Sequence, residues 1–121
     1  MRPSAKRVAG RFRNRGLSKP RWYREVVDLA VEFQKDMSKA LGPDWEERGL
    51  HQPWSSHEIR VRMKYVPSAS SFDYSVSVVF GQEGLTVRFV RGVPPEVEAE
   101  ARKALVPLIR VYASRVKKAV G

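Results

Sequence analysis

The sequence contains no cysteine among its 121 residues, so disulfides, thiolate nucleophiles and thiolate metal ligands are excluded. Its two histidines, His51 and His57, are six residues apart, which matches no familiar zinc-binding spacing. Glycine-rich phosphate loops, dinucleotide fingerprints and hydrolase nucleophile motifs are also missing. We therefore expect no cofactor, no metal and no catalytic residues, and we predict that the protein is not an enzyme.

Long hydrophobic segments are missing as well. No apolar run approaches the roughly 18 residues that a membrane-spanning helix requires. The N-terminus lacks the apolar core of a secretory signal, although its arginine-rich, acid-free character leaves organelle targeting as a minor alternative. These features predict a cytoplasmic protein or a component of a nucleoprotein particle, with a basic arm over residues 1–19 and a single domain over residues 20–121.

Acidic residues are missing from the first twenty positions, and this is the most informative gap. The chain carries a net charge of +10, and residues 1–20 hold seven of its 23 lysines and arginines. The remaining 101 residues are nearly balanced, with 16 cations and 13 acids. Such clustering indicates a polyanionic partner: nucleic acid, DNA or RNA, or another acidic surface. The predicted contacts of the arm are Arg2, Lys6, Arg7, Arg11, Arg13, Arg15 and Lys19.

The arm also has apolar residues at helical spacing. Val8 and Phe12 share one face of a short predicted helix over 5–13, together with Ala5 and Ala9. A helix of this length is marginal alone in water. We therefore expect Val8 and Phe12 to be covered by a binding partner.

Three stretches alternate between apolar and polar residues with a period of two: Glu58–Tyr65, Phe72–Phe80 and Leu85–Phe89. Short polar turns join them, so the pattern predicts a three-stranded antiparallel meander with one buried and one exposed face. The predicted exposed face carries four further cations for a nucleic-acid interface: Arg60, Arg62, Lys64 and Arg88.

Helical patterns flank these strands. An apolar stripe predicts a helix over residues 21–41. A second, long helix is predicted to begin near Pro95 and to bend at Pro107. Between the first helix and the strands, residues 43–56 show no regular period, and a single helical turn is predicted over Asp44–Arg48. The predicted fold is therefore α+β, in the order α-β-β-β-α, with both helices on one face of the sheet.

The end of the second helix has more apolar residues than a three-stranded sheet covers. Tyr112, Val116 and Val120 follow one another at a spacing of four. This pattern predicts that the segment after Pro107 projects from the body and contacts another subunit in a homo-oligomer or a larger assembly.

Three functional interpretations follow from these observations. The leading one is a non-catalytic, basic module that binds nucleic acid through its phosphates without reading sequence. The alternative is a structural subunit of a particle or connector, which uses the arm and the last helix as interfaces. The third is a metal-dependent nuclease, for which Glu58 and Asp73 are the only acids expected on the exposed face.

Overall fold

The computed structural model describes residues 19–67 and 72–121. Its elements are α1 (Arg21–Leu41), β1 (Trp45–His51), β2 (Ile59–Tyr65), β3 (Val76–Gly81), β4 (Gly84–Phe89) and α2 (Pro95–Val120). The strands form one antiparallel sheet in the order β1-β2-β3-β4. The α+β class is confirmed, but the sheet has four strands rather than the three predicted, and the short helix predicted over 5–13 lies outside the described residues.

The first helix has the bounds that its sequence predicts. Pro20 precedes its first turn, where a missing amide hydrogen costs nothing. Gly42 ends it with φ of 91°, a conformation that glycine adopts without strain, and the Gly42 amide donates to the Ser38 carbonyl at 3.1 Å. Its buried stripe is formed by Tyr23, Val26, Ala30, Phe33 and Met37.

Strand β1 occupies the segment for which a helical turn was predicted, and that prediction is wrong. The pairing with β2 shifts between Glu47 and Leu50, and Gly49 has φ of 76° within this irregularity. A bulge adds residues to one strand and interrupts the alternation of its side chains. Because Trp45 and Leu50 lie on either side of the bulge, the sequence shows no period of two even though the backbone is extended.

Strand β3 begins at Val76, four residues later than predicted. The side chain of Ser75 causes this difference, because its Oγ accepts a hydrogen bond of 2.8 Å from the Tyr65 amide. A side chain therefore takes the place of a backbone carbonyl in the ladder, and the chain before Ser75 leaves the sheet. Phe72 and Tyr74 consequently lie in the loop between β2 and β3, outside the strand in which they were placed.

Both helices pack on one face of the sheet. The core contains Ile59, Val61 and Met63 of β2 opposite Phe80, Val78 and Val76 of β3. Phe33 of α1 lies at its centre, with ring centroids 5.2 Å from Phe80 and 5.0 Å from Tyr112 in edge-to-face geometry. Each such aromatic pair contributes about 0.5–1.5 kcal/mol beyond the area that it buries.

Helix α2 continues through Pro107 to Val120 instead of projecting from the body. Its second half packs against α1, where Tyr112 is 2% exposed and Val116 is fully buried. The expectation that these two side chains face another subunit is therefore corrected: both are buried within this chain, and the Tyr112 ring packs against Phe33 of α1. Neither described helix is long and apolar enough to span a membrane.

A polar cluster closes the contact between the helices. The Tyr112 hydroxyl donates to Asp36 Oδ2 at 2.6 Å and lies 3.3 Å from Glu32 Oε2. The Arg115 guanidinium contacts both oxygens of Glu32, at 2.7 and 3.2 Å. Burial raises the pKa of Tyr112, and its hydrogen bond to Asp36 raises that pKa further. The hydroxyl therefore remains a donor.

Replacing Tyr112 by phenylalanine leaves Asp36 without its shortest donor. A hydrogen bond to a charged group contributes about 1.5–3 kcal/mol, so we expect Tyr112→Phe to lower the free energy of unfolding by about that amount. Urea unfolding measures this loss. Tyr65→Phe is the matched control, because the Tyr65 hydroxyl makes no hydrogen bond within the described chain. Equal stability of the two variants would contradict this account of the cluster.

The ion pair between Glu32 and Arg115 also predicts a pH dependence. The hydrogen bond from Arg115 holds the pKa of Glu32 below its usual range. Since the folded pKa is lower than the unfolded pKa, the stabilisation is present above the unfolded pKa and is lost as the pH falls through the folded pKa. Thermal unfolding between about pH 5 and pH 3 should show a steeper fall for the wild type than for Glu32→Gln. Parallel curves would show that this pair makes no contribution.

Candidate nucleic-acid interface

The face of the sheet opposite the helices, here called the outer face, carries the residues that alternate with the core. On the three strands β2, β3 and β4 these are Arg60, Arg62, Lys64, Ser77, Val79, Thr86 and Arg88. In β1, His51 is paired with Arg60 and Glu46 with Lys64. No helix of the described chain covers this face, so its cations border solvent.

One register position on the outer face brings two arginines to either side of a buried hydroxyl. Arg62 of β2 pairs with Ser77 of β3, and Ser77 pairs in turn with Arg88 of β4. Neighbouring strands lie ~4.8 Å apart, which places the α-carbons of the two arginines about 10 Å from each other. Ser77 is only 5% exposed, because it lies in a central strand between these long side chains. We call these three residues the Ser77 row.

The outer face also concentrates polar atoms that lack a hydrogen-bond partner. Among the described residues, five buried side-chain nitrogens or oxygens have none, and four of them belong to this face. They are His51 Nδ1, Arg60 Nε, Arg62 Nε and Ser77 Oγ. A buried polar atom without a partner costs about 1–3 kcal/mol, so a ligand that meets these atoms gains binding free energy. Three of these four atoms, all except His51 Nδ1, are fixed N–H or O–H donors, which suit an anion.

The β1 side of the row opens into a hollow of about 270 Å³ lined by Arg48, Arg62, Asp73 and Tyr74. The Arg62 guanidinium lies 5.2 Å from the centroid of the Tyr74 ring. Arg48 reaches this side of β1 from the bulge and pairs with Glu46 at 3.0 Å. An aromatic ring therefore lies beside the outer face, although the sequence pattern placed Tyr74 on the core face.

The β4 side opens into a second hollow of about 430 Å³ at the end of the sheet near the β3–β4 turn. Val79, Thr86 and Arg88 form its floor, while Glu58 and Glu83 also line it. Two carboxylates disfavour a phosphate at that end. The Ser77 row lies between the two hollows.

The predicted cations of the sheet differ in how available they are. Arg88 is exposed and has no partner within the described chain. Arg60 pairs with Glu58 at 3.1 Å, but both side chains are about 40% exposed, and such a pair contributes little. Lys64 is only 8% exposed, and its ammonium donates to the Phe72 carbonyl. Lys64 therefore holds the β2–β3 loop through this hydrogen bond. Of the four cations predicted on the sheet, Arg60, Arg62 and Arg88 remain accessible to a ligand.

Of the predicted arm, the structure describes Lys19. Its ammonium donates to the Ser56 carbonyl at 2.7 Å and lies 4.8 Å from the centroid of the Tyr23 ring. Ser56 also lines the hollow that contains Arg88. Lys19, the last residue of the predicted arm, therefore contacts the body at the rim of the outer face. The other arm cations, together with Val8 and Phe12, lie outside the described residues.

The other predicted sites are separate from this face. Glu58 precedes β2 and Asp73 precedes β3, so these two acids lie at opposite ends of an antiparallel pair. Within residues 19–67 and 72–121, no three His, Asp or Glu side chains come together to hold a metal. Val120 is half-buried in a groove of about 680 Å³ between the end of α2 and the β3–β4 turn.

Sequence reasoning missed two residues of this interface, Ser77 and Tyr74. Ser77 is the single polar residue between Val76 and Phe80, and that isolation was a usable signal. The sequence contains no such signal for Tyr74, since the alternation placed its side chain on the core face. Tyr74 lies outside the sheet because the Ser75 side chain bonds the Tyr65 amide just before β3 begins.

The contrast between Lys64 and the arginines is testable. We expect Lys64→Met to lower the free energy of unfolding by about 1–3 kcal/mol, because the Phe72 carbonyl loses its donor. Arg88→Met should leave stability within about 0.5 kcal/mol of the wild type, as surface substitutions usually do. Urea unfolding of both variants provides the comparison. A destabilised Arg88→Met together with an unaffected Lys64→Met would reverse these assignments.

Comparison of the chain with known protein families, with curated proteins and with solved structures finds no match. The candidate functional site is therefore the outer face. Its distinguishing features are three accessible arginines, an unpartnered buried hydroxyl and an aromatic ring beside a guanidinium.

Proposed function

We propose that the protein binds nucleic acid through its phosphates on the outer face of the sheet. The observation that carries the proposal is the Ser77 row, where a buried hydroxyl without a hydrogen-bond partner lies between Arg62 and Arg88. A phosphate oxygen accepts hydrogen bonds from a hydroxyl and from guanidinium groups on both sides. Charge-assisted bonds of this kind are about twice as strong as neutral ones.

The chemistry of the row suits a phosphodiester. A nucleic-acid backbone repeats one negative charge per nucleotide, and proteins that neutralise these charges release condensed counterions. Arg60 lies two residues before Arg62 on β2, on the same face, and supplies a further cation. The outer face therefore offers a short track of positive charge.

The arm adds attraction that does not depend on a fixed geometry. Six of its seven cations precede Lys19, and no acid accompanies them. These residues are covalently attached to Lys19, which binds the Ser56 carbonyl at the rim of the outer face. Tethering raises their local concentration near any strand that lies on the sheet. The phosphate contacts carry no sequence information, so this binding is non-specific with respect to sequence.

The Ser77 row can be tested by neutralising its two arginines. We expect Arg62→Gln with Arg88→Gln to weaken binding of a short oligonucleotide roughly tenfold to a hundredfold, since two charge-assisted contacts are lost. Fluorescence anisotropy at fixed salt measures the change. The matched control is Arg24→Gln with Arg110→Gln, which removes the same charge from exposed positions on the two helices. Equal effects of the two pairs would reject the outer face as the binding surface.

The arm contributes to the salt dependence. We expect the full-length chain with glutamine at its first six cationic positions to lose up to about four units from the slope of log affinity against log salt for a single strand. The double arginine variant should lose about 1.4 units. An unchanged slope in the arm variant would show that these six cations do not contact phosphates.

A further inference from the structure

The hollow beside Tyr74 differs from the rest of the outer face, because it combines an aromatic ring, two guanidinium groups and a carboxylate. Its volume of about 270 Å³ is below the range of sites for drug-sized ligands. It therefore suits a single small ring system. Arg62 belongs both to this hollow and to the Ser77 row. A ligand in the hollow is consequently adjacent to the proposed phosphate site.

Tyr74 and Arg62 supply flat surfaces. The Arg62 guanidinium lies 5.2 Å from the ring centroid of Tyr74, and Tyr74 is half-buried in the loop that precedes β3. Aromatic rings and guanidinium planes are the two surfaces on which proteins stack unpaired bases. Such stacking contributes about 1–3 kcal/mol per base. The geometry therefore favours a nucleobase as the occupant of the hollow.

Asp73 supplies a hydrogen-bond acceptor for the edge of a nucleobase. Its carboxylate is exposed and has no hydrogen-bond or ion-pair partner within the described chain, although Arg48 and Arg62 line the same hollow. A carboxylate accepts hydrogen bonds and donates none, whereas a guanidinium only donates. The best occupant therefore presents donors on one part of its edge and acceptors on another.

Guanine satisfies both requirements. Its N1–H and N2 amino group are adjacent donors that a carboxylate accepts together, and its O6 and N7 are the acceptors that arginine contacts in pairs. Uracil has one N–H flanked by two carbonyl oxygens, so it places an oxygen against the carboxylate. Guanine thus matches the combination of Asp73 with two arginines, whereas uracil does not.

We propose that the hollow formed by Arg48, Arg62, Asp73 and Tyr74 binds one unpaired guanine base, whose neighbouring phosphate lies on the Ser77 row. The inference rests on the proposed function and adds to it a base preference at one position. It also specifies a single strand, because the faces of a base within a duplex are covered by its neighbours.

The test uses the full-length protein and two ten-nucleotide RNA strands, one of uridines alone and one with a single central guanosine. We expect about tenfold tighter binding of the guanosine strand, as a bidentate base contact gives. A third strand with inosine, which lacks the N2 amino group, should lose most of this preference. A ten-base-pair duplex with one central G·C pair should compete more weakly than the guanosine strand.

Variants at two positions report on the hollow separately. Asp73→Asn removes a negative charge, so it should strengthen binding of the uridine strand while the ratio of guanosine to uridine affinity falls to about one. Tyr74→Leu should weaken the guanosine strand about fivefold to a hundredfold, and Tyr74→Phe should restore it. Asp28→Asn, at an exposed position on α1, is the matched control and should leave the ratio unchanged.

The outcomes distinguish this inference from the proposed function. If both strands bind equally and Asp73→Asn leaves their ratio unchanged, while neutralising Arg62 and Arg88 still weakens binding, the base site is rejected and the phosphate site stands. Equal competition by the duplex likewise rejects the base site. If neither strand binds the wild type, both proposals fail.

Discussion

One-sided packing of the sheet is the constraint on which the rest of the structure depends. Both helices cover the face that carries Val61, Val78 and Phe80, and the alternation of strand residues sends every second side chain to the other face. Because the hydrophobic core requires β2 and β3 in this register, Arg62 and Ser77 are fixed as neighbours on the outer face. A slip of one residue would bury the arginines and expose the core.

Because of this packing, the outer face carries buried polar atoms that have no hydrogen-bond partner within the described chain. A central strand is crowded by its neighbours, so Ser77 is buried although no helix covers it. Its hydroxyl and the Nε atoms of Arg60 and Arg62 have no hydrogen-bond partner within the described chain. Such atoms lower stability unless water or a ligand meets them. The groups that weaken the free protein are therefore the ones that support the proposed anion site.

Patterns of regular period were sufficient to predict the bounds of α1, the antiparallel meander and the set of outward arginines. They failed where one side chain or one extra residue changed the backbone. The irregularity at Gly49 concealed β1, and the hydrogen bond from Tyr65 to Ser75 released Tyr74 from the strand. The packing of the last helix was not predicted either. Tyr112 and Val116 were assigned to an interface with another subunit, because their spacing does not show that they are buried within this chain.

The most direct measurement of the central claim is a map of the binding surface by NMR. Amide chemical shifts of the full-length protein are followed during titration with the guanosine-containing strand. The account predicts the largest changes at Arg62, Ser77 and Arg88, with small changes at the exposed helix residues Val106 and Val111. Changes confined to the helices, or binding that leaves the amides of the Ser77 row unperturbed, would contradict it.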